Sequence, residues 1–568
     1  MRFLITGLLF VSAVLALLFG VAQKTIWAPA TNFKLAIDLH NAAPYVVVPS
    51  STLARFPVDP IVTVAGDKQV FTSVGRESDI AAWVGSCQHI QIDLASDGKK
   101  LEEKVVAGAG VLSDPAGSDL WRDERTGSKE LTMTVGNHYQ PALLIASNGI
   151  NAAPKKIYLD WQFANDQSLA NLSLILSGVL FVAGLIMNWI SYWHIRKTRG
   201  PRRRTPRAPR GPQLRRLKVD RVAPSRGRRV AGREKLAIPA GILILGLVTG
   251  CAGTGSTPKA SSTPTSSGVD ATPTASLQPV QLERILNDVA ISAATGDKNK
   301  DAKALQNRFN GPALEVRAAH YLMQQRSKKL AAMASIAAGP ISFNLPAATT
   351  TWPRTVMAVT ARAGSSDLPQ MLVLQQDSPR SNYKVWYTIA MLPGAKIPDV
   401  AAVDVGAIPV DLNSLFLKLP PKNLPKAYGD VIDNGALSLS APLFDVSKDQ
   451  FYIQLSQGQA NQQKNLKKAS LKFTHALGAN NVLSLATADA GALVAVFTHD
   501  TYTIKPTKAG SAVTVSGNEK IMLGSNGSVR GVRSVYGDMM LFYVPALTTK
   551  NQIKLLGVTQ GLVSVRGL

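Results

Sequence analysis

Residues 196–251, RKTRGPRRRTPRAPRGPQLRRLKVDRVAPSRGRRVAGREKLAIPAGILILGLVTGC, divide the chain into two long regions that each have the pattern of a folded domain. The stretch is a basic run, then a short apolar run, then a single cysteine. Residues 196–235 hold seventeen Lys and Arg against Asp220 and Glu234, so +15 of the chain's formal +25 lies here. Arg, Pro and Gly dominate and apolar periodicity is missing, so 194–235 is expected to be a disordered basic cytoplasmic loop. No aromatics are interleaved to stack on bases, which disfavours nucleic acid despite the charge. The charge then serves as a solvated topology determinant or attracts anionic lipid headgroups.

Residues 236–250 supply only fifteen mostly apolar positions before Cys251. That is short for a stable membrane helix and suits the apolar core of a signal. Leu247-Val248-Thr249-Gly250-Cys251 resembles the bacterial lipobox, in which an aliphatic residue and small residues precede a cysteine whose thiol receives diacylglycerol. Cys251 is therefore the candidate lipidation residue, and the Gly/Ser/Thr/Pro-rich stretch 253–278 is the expected tether. Three readings of 236–252 stand side by side: a lipoprotein-type signal, a third transmembrane helix with a coincidental cysteine, and the junction of two once-separate genes.

On the N-terminal side, LSLILSGVLFVAGLIMNWISYW at 172–193 predicts a transmembrane helix over 169–193. Trp189, Tyr192 and Trp193 make an interfacial belt, and Arg196 and Lys197 come directly after it, which assigns that end to the cytoplasm. Residues 3–22 form an apolar 20-mer after Arg2, so 1–22 is an anchor or a cleaved signal. Either reading exports residues 23–168. These read as an extracytoplasmic all-β domain, a sandwich or small barrel. Its predicted strands fall near 34–39, 45–48, 60–64, 90–94, 131–135, 142–146 and 156–159, with one helical patch at 78–84. The polar stretch SDLWRDE at 118–124 is expected in a loop or at a sheet edge.

The C-terminal side is α+β. Helical spacing at 282–293, 302–309 and 312–323 precedes strand-like segments at 341–345, 354–362, 370–375 and 383–392. Helical segments at 424–434 and 447–469 then precede strands near 471–476, 482–487, 493–504, 512–515, 520–523, 529–535, 539–544 and 552–556. This order resembles the cone-shaped roll of the nuclear transport factor and scytalone dehydratase class, with helices packed on a curved antiparallel sheet. Two tandem rolls are expected, at 279–408 and 409–568. The whole is a multi-domain membrane protein with two or three transmembrane helices.

The phrases TIWAP (25–29), PYVVVP (44–49), GRESDIAAWVG (75–85) and SDLWRDE resemble those of uncharacterised actinobacterial cell-envelope membrane proteins. RFNGPALEVRAAHYLM (308–323) and the tandem layout resemble the lipoprotein-type C-terminal regions joined to them. The resemblance implies compartment and architecture, and no activity.

Chemistry is sparsely signalled. Among His40, His89, His138, His194, His320, His475 and His499 no two have metal-ligand spacing. His320 reads as a core or edge histidine on a helix, and His499-Asp500 as turn chemistry ending a strand. Ser381-x-x-Lys384 lacks its companion elements and precedes a strand. Cys87, two residues from His89, reads as a buried structural thiol. Phe309, Trp352, Trp386 and Tyr387 are the candidate lining of an apolar pocket in the first roll. No catalytic, metal-binding or cofactor-binding residues are assigned, and no cofactor. The expected function is a non-enzymatic, membrane-anchored envelope protein exposing binding or scaffold modules, with the membrane and other envelope proteins or cell-wall components as partners. The alternative is an envelope hydrolase or transferase with its site in the C-terminal rolls.

Overall fold

The computed structural model describes residues 2–28, 30–136, 140–164, 167–198, 274–466, 468–477 and 482–568. Cys251, nearly all of the basic run, the apolar segment 236–252 and most of the tether lie outside the described residues, as does His138.

Two helices, Arg2–Thr25 and Ser168–Thr198, form one compact unit and are each long and apolar enough to cross a membrane. They pack on each other through Phe10 and Phe181, whose ring centroids lie 5.5 Å apart. The Ser177 hydroxyl donates to the Ala13 carbonyl at 2.9 Å. Aliphatic side chains cover the outer faces, Leu4, Leu8, Leu18, Leu172, Ile175 and Val179 among them, all exposed. So many exposed aliphatics suit helices that cross a membrane.

Residues 30–164 are the N-terminal all-β region, two sheets packed face to face. The four-stranded sheet has the order Asn32–Asp38, Lys156–Gln162, Pro60–Ala65, Glu130–Thr134, all antiparallel. The six-stranded sheet runs Leu101–Val106, His89–Leu94, Tyr45–Val48, Pro141–Ala146, Val70–Arg76, Asp123–Gly127, with one parallel pair, Tyr45–Val48 beside His89–Leu94. Alternate residues such as Val46, Val62, Val64, Ile90, Ile145 and Ile157 fill the core between the sheets.

Two central strands of the larger sheet, Val70–Arg76 and Pro141–Ala146, are buried at every position. Continuous burial means that both faces are covered. On the outer face, Tyr45, Phe71, Ala142 and Leu144 meet Ile80, Trp83, Leu120 and Trp121. Ile80 and Trp83 come from the predicted helix, which runs Glu77–Val84. It carries Glu77 and Asp79 in its first turn, where the helix dipole favours acids, and ends at Gly85 (φ 57°). SDLWRDE divides: Asp119, Leu120 and Trp121 are buried, while Asp123 opens the sheet's edge strand.

The C-terminal region is α+β, and helices precede an antiparallel sheet twice. Helices Pro279–Asn299 and Gly311–Arg326 lead to the meander Ile341–Pro346, Arg354–Thr360, Gln370–Gln376, Lys384–Ala390. Helices Leu424–Asn434 and Gln450–Asn465 lead to the order Ala469–Leu477, Ala492–Pro506, Val532–Val544, Lys554–Gly567, with Leu483–Ala486 beside the second strand. Period-2 burial couples the halves. Leu493, Ala495 and Phe497 join a core that also contains Leu286, Met357 and Leu374, whereas Val494 and Val496 face Tyr428 and Val431 on helix Leu424–Asn434. Two expectations are corrected here. Residues 520–523 belong to helix Gly517–Leu523, and the two expected strands at 529–535 and 539–544 merge into a single strand, Val532–Val544, running through Gly537. Gly537 mimics a turn in the sequence, yet a Cβ there would lie 2.8 Å from the Phe497 ring, so it is a packing glycine within a strand.

Candidate functional site

A set of buried charged side chains lies between residues 30–164 and 274–568, which belong to one compact unit. The Asp79 carboxylate, on the first turn of helix Glu77–Val84, accepts twice from Arg76, at 2.9 and 3.0 Å. It also accepts from Arg354 Nη2 at 2.7 Å. Arg354 is fully buried and stacks on Trp352, its guanidinium carbon 3.6 Å from a ring centroid. Arg76 in turn donates to the Thr274 and Ala275 carbonyls at 3.3 and 3.1 Å.

Asp119 is the second centre. Its carboxylate accepts from Arg308 Nη1 at 2.6 Å and from the Tyr383 backbone N–H at 2.7 Å. Burial pushes the Asp119 pKa up, and Arg308 beside it opposes the rise. Arg308 also donates to Asp288 at 2.6 Å. Gln281, which closes the capping box at the start of helix Pro279–Asn299, donates to the Asp119 and Leu120 carbonyls at 3.2 and 3.0 Å. Arg284, one turn on, donates to the Trp121 carbonyl at 2.7 Å.

The third element is Arg380. Its guanidinium covers Trp83, 4.7 Å from the ring centroid, and donates to the carbonyls of Trp83 (2.8 Å) and Val84 (3.3 Å). It reaches Cys87 Sγ at 3.3 Å as well. Cys87 is buried, as expected for a structural thiol, and its Sγ donates to the Val111 carbonyl. His89 Nδ1 meets the Cys87 carbonyl, not its sulfur. Three phrases quoted from the sequence converge here: GRESDIAAWVG supplies Arg76, Asp79 and Trp83, SDLWRDE supplies Asp119 and Trp121, and RFNGPALEVRAAHYLM supplies Arg308. A cavity of about 350 Å³ remains beside this interface, lined by Arg76, Arg122, Thr274, Gln278 and Asp404 among others.

A second cluster lies in the C-terminal sheet and was not legible in the sequence. His475 on strand Ala469–Leu477 stands in register with Asp500 on strand Ala492–Pro506, and its Nδ1 lies 2.5 Å from Asp500 Oδ1. Its Nε2 lies 3.1 Å from Asp433 Oδ1 at the end of helix Leu424–Asn434. That helix comes close because Gly429 faces the imidazole; a Cβ there would lie 3.0 Å from His475 Cβ. Burial alone would lower the His475 pKa, but the hydrogen bond and charge of Asp500 and the charge of Asp433 outweigh it, so the net shift is upward. Asp538, almost fully enclosed beside Asp500, is held well above the carboxylate range by burial and by that neighbouring charge. The His475 side chain is only 4 % exposed.

The remaining candidates are structural. His499 and Asp500 lie inside a strand, not at its end, and point to opposite faces. His499 Nε2 meets Glu315 at 2.9 Å while Asp500 meets His475. His320 bonds the Ala331 carbonyl at 3.0 Å, and burial lowers its pKa. Phe309, Trp386 and Tyr387 are packed into the shared core, and Trp352 is packed against the N-terminal region, so the four do not line one pocket. Ser381 bonds within its own turn, to the Ser378 carbonyl. Among the described residues no group of three or more His, Cys, Asp or Glu side chains is arranged to hold a metal ion.

Residues 274–567 match the family described as Domain of unknown function (DUF8094). The chain belongs to that family. The match begins at Thr274, the residue whose carbonyl accepts from Arg76, so the family domain is the whole C-terminal partner in the interface. No curated protein and no solved structure matches the chain.

Proposed function

We propose that the chain is a non-enzymatic, membrane-anchored protein of an actinobacterial-type cell envelope, whose two folded regions lie outside the cytoplasm and act together as a binding or scaffold module. The observation that carries this reading is the asymmetry of helix Ser168–Thr198. Its middle is apolar, Trp189, Tyr192 and Trp193 are exposed near its end, and Arg196 and Lys197 close it. Such an end belongs at the cytoplasmic interface, which leaves residues 30–164 outside. Residues 274–568 share their buried interface, so they occupy the same side. In this reading the two helix-then-sheet halves are cone-shaped rolls, and Cys251 carries a lipid that adds a second anchor.

Topology reporters test the reading. A fusion after Lys218 is active only in the cytoplasm and a fusion after Leu568 only outside; the reverse pattern overturns it. Cys251→Ala abolishes incorporation of labelled lipid, and unchanged labelling removes that residue from the scheme.

The second reading, an envelope hydrolase or transferase, is favoured by one observation, the carboxylates on both nitrogens of His475. A histidine so held suits proton transfer. Loss of a measured hydrolytic activity in His475→Asn with an unchanged fold would decide for it.

A further inference from the structure

We infer that residues 30–164 and 274–568 are non-covalent partners whose association does not depend on the chain that connects them. The β region is the docking partner of the family domain. Such docking is independent of the proposed function, since it holds on either side of a membrane.

The charges on the two faces are complementary. The β region presents Asp79 and Asp119, and the family domain presents Arg354, Arg308, Arg284 and Arg380. Asp79, Asp119, Arg308 and Arg354 have side chains no more than 9 % exposed, so each salt bridge is shielded from solvent salt. The remaining donors are spent on backbone: Arg284, Arg380 and Gln281 all donate to carbonyls at 118–121 or 83–111. Those carbonyls belong to loops and a helix end, which have no strand or helix partner for them. The family domain adds donors to these carbonyls, and Asp79 and Asp119 of the β region neutralise Arg354 and Arg308.

The apolar contacts point the same way. Trp352 packs onto the cluster of Tyr45, Phe71, Ile80, Trp83 and Trp121 that covers the outer face of the six-stranded sheet. Separation would expose this aromatic surface together with the Asp79–Arg354 and Asp119–Arg308 pairs and the guanidinium groups of Arg284 and Arg380 that now cap backbone carbonyls. Buried aromatic and arginine anchors of this kind dominate affinity between separate proteins. A tether raises local concentration but creates no contact.

The test uses the full chain with an N-terminal affinity tag and a specific protease site inserted between residues 260 and 261, purified in mild detergent. After complete cleavage, the fragment beginning at 261 lacks the apolar segments at 3–22, 172–193 and 236–250, so a shared micelle cannot hold it. The expected result is its retention with the tagged half on the affinity resin and in gel filtration, at low salt and at about 0.5 M salt. Release of the fragment, in solution or as precipitate, overturns the inference. The location of the contact is tested by Arg380→Ala in the same cleavable chain. It should dissociate about tenfold faster, corresponding to about 1.4 kcal/mol. An Arg380→Ala fragment with the parent's circular dichroism and an unchanged dissociation rate would move the contact elsewhere.

Discussion

Asp79 and Arg354 stand 275 residues apart in sequence and 2.7 Å apart in space, with Arg354 wholly buried. One carboxylate thereby accepts from two guanidinium groups, Arg76 from its own domain and Arg354 from the family domain. A second carboxylate, Asp119, does the same kind of work with Arg308, so the interface has two ionic centres with Trp83, Trp121 and Trp352 around them.

Removing Asp79 leaves two arginines enclosed without their counter-ion. Asp79→Ala should lower the unfolding free energy by about 3–5 kcal/mol, the usual cost of breaking a buried pair from one side. Denaturant unfolding monitored by tryptophan fluorescence checks this. A loss under about 1 kcal/mol would show that water reaches the pair.

Trp121 is fully buried, and its Nε1–H donates to the Pro115 carbonyl at 2.6 Å. Trp121→Phe keeps most of the packing and loses the hydrogen bond, for about 1–2 kcal/mol. Trp121→Ala should cost about 3–5 kcal/mol. The difference between the two variants in thermal or denaturant unfolding separates packing from hydrogen bonding.

The His475 cluster gives the C-terminal sheet a pH dependence. The folded-state pKa of His475 is raised, so its contribution is fully present below the ordinary 6.5 and is lost as pH rises through the folded value. Asp538 acts in the same direction. Its raised pKa means that the folded state holds a proton which the unfolded state releases above about 3.8, so stability again falls as pH rises. Unfolding midpoints should therefore decrease from mildly acidic to mildly alkaline pH. Asp538→Asn should flatten the profile, since the amide cannot ionise, and a profile as steep as the parent's would assign the dependence to other groups.

Gly311 opens helix Gly311–Arg326 with φ 49°, and a Cβ there would lie 2.2 Å from the Trp386 ring. Gly311→Ala combines backbone strain with a clash in the core. It should destabilise the family domain by more than about 1–3 kcal/mol. Gly364→Ala, at φ 72° with nothing within 4 Å, should cost only the strain. Comparing the two in one unfolding assay isolates the clash.

The helix pair is tested by cysteine cross-linking in membranes. With Cys87 and Cys251 replaced by Ser, Ala13→Cys combined with Ser177→Cys should cross-link on mild oxidation, because both positions are buried in the helix pair and the Ser177 hydroxyl reaches the Ala13 backbone. Positions on the outer faces, such as Leu8 with Ile175, should not.

The sequence by itself determined the local elements. Strand Lys156–Gln162, helix 424–434 and the two apolar helices are set by period-2, period-3.6 and unbroken apolar patterns, which require nothing from distant residues. It also flagged the phrases around Asp79, Asp119 and Arg308 as distinctive while leaving them without a role. Only the tertiary structure decided that role. An Asp on a helix and an Arg on a strand are ordinary surface residues in sequence, and what makes them a buried ionic centre is a partner hundreds of residues away. The same holds for His475 and Asp500, which meet only through cross-strand register. Register depends on sheet pairing, to which no local periodicity in either strand refers.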